Sequence, residues 1–204
     1  TPKALTVTDV TASSRVYDGT QQASLSGGIL SGLVGLETLN LDLSNQAGTF
    51  SDKNVGAGKV VTVTGATVAD GTGLASNYAF SNATGVTANI SKATISSVSN
   101  VGVNNKTYDG SMTATLSGTA IFNGKAGADN LTVSSGNGSF VDKNAGAGKT
   151  VNVSNITLGG ADAGNYLLDS TTSSGVADIA KATISSVSNV GVDNKTYDGL
   201  RTAT

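Results

Sequence analysis

Cysteine, histidine and tryptophan are absent from this 204-residue chain, and proline occurs once. Without cysteine there is no disulfide, no thiolate metal site and no thiol nucleophile. Without histidine the chain lacks the side chain most used as general base and metal ligand near neutral pH. Charge is also scarce, at 13% of residues against about 25% in ordinary globular proteins. The net charge of −2 comes with no basic cluster, so neither a nucleic acid backbone nor an anionic membrane surface is an expected partner. No run approaches the length of apolar sequence that crosses a bilayer as a helix, and no signal peptide is visible. Any such segment is expected outside these residues. No carboxylates are paired at a catalytic spacing, so an enzyme is not expected, and neither is a cofactor.

What fills the gap is glycine, serine, threonine, asparagine and alanine. Such a composition is compatible with disorder, but the order of residues argues against it. Leu39-Asn40-Leu41-Asp42-Leu43, Val61-Thr62-Val63-Thr64 and Val86-Thr87-Ala88-Asn89-Ile90 alternate apolar and polar side chains. Alternation at period two places one face of a strand against a core and the other in water. Valine and threonine add the β-branched preference for extended backbone. No comparable helical period is present. The chain reads as all-β.

Repetition sets the organisation. Residues 91–110 and 180–199 agree at 18 of 20 positions at an offset of 89. Asp52-Lys53-Asn54-Val55-Gly56-Ala57-Gly58-Lys59 returns as Asp142-Lys143-Asn144-Ala145-Gly146-Ala147-Gly148-Lys149, and Asn77-Tyr78 as Asn165-Tyr166. We divide the chain into unit 1 (1–91), unit 2 (92–180) and the start of a third (181–204). A period near 90 exceeds the roughly 20–50 residues of a solenoid repeat and suits a small domain. Within unit 2 about seven strands are expected, near 94–98, 106–108, 113–117, 131–134, 150–153, 165–168 and 176–179. This spacing predicts tandem immunoglobulin-like sandwiches. The alternative is a β-grasp-like unit with a short helix at 118–127. Residues 86–95 and 176–184 carry alternation across the unit boundaries without glycine or proline, which predicts stiff joints and an elongated rod.

Three motifs stand out. Tyr17-Asp18-Gly19, Tyr108-Asp109-Gly110 and Tyr197-Asp198-Gly199 read as turns, with aspartate bonding local backbone and glycine taking positive φ. The tyrosine would pack at a strand end; an exposed sugar-binding tyrosine is the functional rival. The Gly-x-Gly-Lys of the second motif leads into a strand where a phosphate loop needs a helix, so it is a loop between strands. Its Asp-Lys-Asn core would need a distant partner to form a lysine amide crosslink, since neighbouring strand side chains point apart. We read it as solvated turn polarity. Asp162-Ala163-Gly164-Asn165-Tyr166 looks like the tyrosine corner of immunoglobulin-like domains, whose phenol bonds nearby backbone. Asp162 and Asn165, with Asp70 and Asn77, are also the oxygens a calcium ion would use, but they fall short of the six or more it takes.

Lys-x-Tyr-Asp-Gly, then Asp-Lys-Asn-x-Gly-x-Gly-Lys, then Asp-Ala-Gly-Asn-Tyr appear in that order in unit 2 and resemble the YDG-type repeat of large bacterial surface proteins. Unit 1 departs from the pattern, with Arg15-Val16 before its tyrosine and a longer stretch before Tyr78. Such repeats, and the similar MBG repeats, occur in filamentous-haemagglutinin-like adhesins exported by two-partner secretion. The resemblance implies an extracellular, cell-surface stalk that supports adhesion or biofilm formation. Its partners would be other repeats of the same chain, a surface polysaccharide or host ligand, or a second copy through strand exchange, with 183–187 as the donated strand.

Overall fold

The computed structural model describes residues 1–201. Unit 1 contains β1 (Lys3–Ala12), β2 (Arg15–Val16), β3 (Gln22–Ala23), β4 (Leu25–Ser31), β5 (Leu39–Asp42), β6 (Ala47–Phe50), β7 (Gly56–Thr64), β8 (Thr67–Asp70), β9 (Tyr78–Ser81) and β10 (Thr87–Ser91). Unit 2 follows with β11 (Ala93–Ile95), β12 (Ser97–Ser99), β13 (Lys106–Thr107), β14 (Thr113–Ala114), β15 (Ile121–Asn123), β16 (Thr132–Phe140), β17 (Gly146–Gly159), β18 (Tyr166–Leu168) and β19 (Ser173–Ala180). Among the described residues the only helices are single 3₁₀ turns at Ala75–Asn77 and Ala163–Asn165. The segment 118–127 holds β15 and turns, so the helix of the β-grasp alternative is not formed. A run so rich in glycine and alanine, with no apolar stripe at helical spacing, has no face to bury as a helix.

Both units share one topology. In unit 1 a five-stranded sheet runs β2-β10-β7-β6-β3, beside a three-stranded sheet β4-β1-β9. Unit 2 repeats the first as β13-β19-β17-β16-β14, and the second as the pairs β11-β18 and β12-β15. Two pairings in each unit are parallel: β1 with β9 and β2 with β10, then β11 with β18 and β13 with β19. An immunoglobulin-type sandwich is built of antiparallel sheets, so these pairings set the units apart from it.

The sheets curl because the strands change face part way along. In β1 the buried residues Leu5 and Val7 give way to the partly buried Val10 and Ala12, a shift from odd to even positions. The slip occurs at Asp9, which has φ of 58° and faces Gly28 between the pairs Thr8–Ile29 and Val10–Gly27. The pairing register is the same before and after it, so no residue is inserted; left-handed backbone at Asp9, opposite Gly27 and Gly28 at φ 77° and 125°, turns the strand and re-aims every later side chain. Asn100, at φ 50°, does the same between Val98 and Val101. Asn155, at φ 54°, shifts β17 from Val151 and Val153 to Ile156. In unit 1 that place is Gly65, where a Cβ would stand 2.0 Å from the Asn45 carbonyl oxygen, and the hairpin breaks there into β7 and β8.

Phe50 and Phe140 fill the centres of the two units at 1% exposure, each worth about 2–3 kcal/mol of burial. Most of the buried apolar residues form one cluster through both units, with Ile90 and Ala93 on either side of the boundary, and Leu5, Leu39 and Tyr78 form a second within unit 1. Across that boundary the expected continuous strand is two strands, β10 and β11, separated by Lys92 and belonging to different sheets. At the second boundary β19 ends at Ala180, and residues 181–201 form no strand. The sequence pattern of a strand persists there, but a strand exists only with a ladder partner.

Candidate functional site at the joint between units

Local chemistry builds the loops that meet at the boundary. Asp18 accepts the Thr20 N–H at 2.8 Å and pairs with Arg15, closing the turn after β2 with Gly19 at φ +80°. The same turn recurs with Asp109, Lys106 and Gly110, and with Asp198, Lys195 and Gly199. Burial works against the Asp18 charge, but Arg15 and the Thr20 donors outweigh it and lower its pKa. Lys106 and Ser111 hold Asp109 down to about 2. Asp52 accepts the Asn54 N–H at 2.7 Å and reaches Lys59 at 2.7 Å, so the Gly-x-Gly-Lys lysine clips its own loop. Asp142, Asn144 and Lys149 repeat this.

These two loops of unit 1 meet unit 2 in a closed polar network. Tyr17 is buried at 3% exposure, and its hydroxyl donates to Asp129 Oδ2 at 2.6 Å. Tyr166 donates to the same oxygen at 2.7 Å, and the two rings lie edge to face at 5.4 Å. Lys53 Nζ donates to Asp129 Oδ1 at 2.6 Å and pairs with Asp162 at 3.0 Å. Asn165 Oδ1 accepts the Val55 N–H at 3.0 Å, and Asn165 Nδ2 donates to Asn54 Oδ1 at 3.1 Å. Gly19 completes the fit: a Cβ there would lie 3.3 Å from the Ala126 Cβ.

Asp129 is a buried acid, and burial alone would raise its pKa. Donation from Lys53, Tyr17 and Tyr166 outweighs that cost and keeps it below the ordinary carboxyl value. Asp162 is lowered by the Asn130 N–H and then by Lys53. The Lys53 ammonium is stabilised by Asp129, Tyr17 and Asp162. Burial, then Asp129, raises Tyr17, and pushes Tyr166 up to about 12. Every group is therefore held in its ordinary charge state. A lysine amide crosslink needs a neutral amine and a protonated carboxyl, the two forms this network disfavours. The distant partner that Lys53 requires is present, and the arrangement is an ion pair.

Several sequence expectations change in detail. Lys53 is no solvated turn residue; its side chain is 35% exposed and spans the joint. The Tyr166 hydroxyl accepts the Ala126 N–H at 2.9 Å and bonds Asp129, loops 40 and 37 residues away, where a tyrosine corner bonds nearby backbone. Asp162 and Asn165 spend their oxygens on protein donors, and Asp70 accepts the Ala75 N–H. Among the described residues no group of three or more acidic side chains could hold a metal ion. Tyr108 and Tyr197 stay outside any such network, with Tyr108 37% and Tyr197 94% exposed. Asp129 was not singled out in the sequence. Its signal was Gly-x-acid recurring at an offset of 92, as Gly35-Leu36-Glu37 and Gly127-Ala128-Asp129.

No curated protein and no solved structure matches the chain. Residues 1–85 and 91–174 each match the YDG domain. The two matched segments are the two structural repeats that meet at Asp129, and the chain belongs to the YDG domain family.

Proposed function

We propose that this chain is a stretch of stalk from a large secreted bacterial surface adhesin, in which YDG units in series supply length and stiffness. The role is structural and non-enzymatic, located outside the cell, and serves adhesion or biofilm formation. The observation that carries the reading is the joint: its most buried polar residues, Asp129 and Asn165, are spent on tying unit 1 to unit 2. A buried network satisfied on every side has one good geometry, which resists bending between units. Series units joined in this way would extend as a rod.

Distances between spin labels on Thr84 and Thr171, one exposed position in each unit, test it. A narrow distribution in the full chain, broadened by Asp129→Ala, is the expected result. An equally broad distribution in both proteins would remove the stiff-spacer reading.

Self-assembly by strand exchange is the second reading. It is favoured by residues 182–184, which repeat the Ala-Thr-Ile of β11 yet form no strand and leave Ile184 83% exposed.

A further inference from the structure

The two halves of the joint recur at the far sides of the units. In unit 1 the Tyr78 hydroxyl accepts the Val34 N–H at 3.0 Å and donates to the Glu37 carboxylate. Glu37 N–H in turn bonds the Val34 carbonyl at 3.0 Å. Tyr166, Ala126 and Asp129 make the same three bonds in unit 2. Unit 1 thus carries the tyrosine–acid socket, but with Asn77 exposed where Asn165 is buried. One element differs: the Thr38 N–H bonds the Thr72 hydroxyl, where Asn130 N–H bonds Asp162.

The plug is likewise repeated. Tyr108 N–H bonds the Ala180 carbonyl at 2.8 Å, as Tyr17 N–H bonds that of Ser91. Lys143, Asn144 and Ala145 occupy the places of Lys53, Asn54 and Val55, on a loop closed by the same aspartate. All three are exposed, and Asn144 and Ala145 stand with Tyr108 at a cleft also lined by Lys181, Ala182 and Ile184.

We propose that the plug of unit 2 seats in the unit 1 socket of a second copy of this chain, head to tail. Tyr108 and Lys143 would both donate to Glu37, and the Ala145 N–H to Asn77. The inference rests on the stalk reading of the internal joint and extends that joint between molecules. The charges are complementary, and the contact is heterologous, so it adds copies in an open series. Two differences make it weaker than the internal joint. Thr72 replaces the second acid, and no covalent linker raises the local concentration.

Sedimentation equilibrium of the full chain, up to about 1 mM, tests the proposal. The wild type is expected to gain mass with concentration. Glu37→Lys and Lys143→Glu, each alone, place like charges together and should weaken association about tenfold or more. An equimolar mixture of the two variants, and the double variant alone, each restore an acid–lysine pair and should associate again. That recovery separates a lost contact from a lost fold. A wild type that stays monomeric throughout overturns the proposal. So does association that survives both single variants; its loss on Ile184→Asp would then assign it to strand exchange. Neither result touches the internal joint, which the spin-label distances read independently.

Discussion

Three tyrosines share one local motif and have three different surroundings. Tyr197 precedes an aspartate turn that packs against no folded unit among the described residues, and is 94% exposed. Tyr108 precedes the same turn at the end of a folded unit, and is 37% exposed. Tyr17 has both a unit behind it and a neighbouring unit in front, and is 3% exposed. The turn itself is constant: each aspartate accepts the N–H two residues on, and each glycine has φ between 75° and 80°. Such a turn needs only the aspartate and glycine, so it forms in all three places. Burial of the ring requires the unit, and satisfaction of its hydroxyl requires the next unit. The one motif is thus a turn by itself, a packed strand end once its own unit is folded behind it, and half of a joint once a neighbouring unit stands in front.

The largest expected effect breaks this comparison directly. Tyr17→Ala should destabilise the full chain by about 3 kcal/mol, the cost of deleting a buried aromatic side chain. Tyr108→Ala should cost about 1 kcal/mol or less, because the ring is already partly in water. Urea denaturation of the two variants checks the ratio, and equal losses would mean that the joint adds nothing to the packing of Tyr17.

Acid should sharpen the comparison next. Asp129 and Asp162 have folded pKa values below their ordinary 3.8. A lowered carboxyl contributes stability that is present above its unfolded value and lost as pH falls through the folded one. Tyr17 and Tyr166 are raised above 10.0, so their contribution is present below that value and lost as pH rises through the folded one. The joint is therefore expected to hold between about pH 4 and 10 and to loosen on both sides. Tyrosine accessibility measured across pH should show Tyr17 becoming reactive at the acid edge while Tyr108 changes little. Asp129→Asn, which removes the carboxylate but keeps the shape, should abolish much of the acid-edge change in Tyr17.

The smallest effect isolates the backbone. Gly19→Ala and Gly110→Ala both place a side chain at positive φ, a cost of about 1 kcal/mol. Only Gly19 also faces the neighbouring unit, 3.3 Å from Ala126, whereas nothing lies within 4 Å at Gly110. Gly19→Ala should thus be the worse by a few tenths to about 1 kcal/mol in thermal unfolding.

Much of the fold was legible because strands and aspartate turns are short-range. The alternation of Val61 and Val63 is the buried pattern of β7, and Asp52 and Asp142 bond backbone two residues ahead. The face changes were not legible, because Asp9, Asn100 and Asn155 look like ordinary polar positions until their φ angles are known. For the same reason the length of β16 and β17 was underestimated: a bulge interrupts the alternation by which a strand is recognised. The β15 strand, Ile121–Asn123, was missed because three residues carry too little pattern.

The joint divides the two kinds of information most clearly. By itself the sequence determined an all-β chain of repeats, the turn after each tyrosine and the loop clipped by each Asp-Lys pair. These follow from period-two alternation and from hydrogen bonds spanning two to seven residues. Only the tertiary structure decided that Tyr17 and Lys53 meet Asp129, across 112 and 76 residues. Nothing in a local pattern selects which acid a buried hydroxyl and ammonium will share. That choice is made when two folded units bring their loops together, because only there is a carboxylate sheltered from water and surrounded by donors.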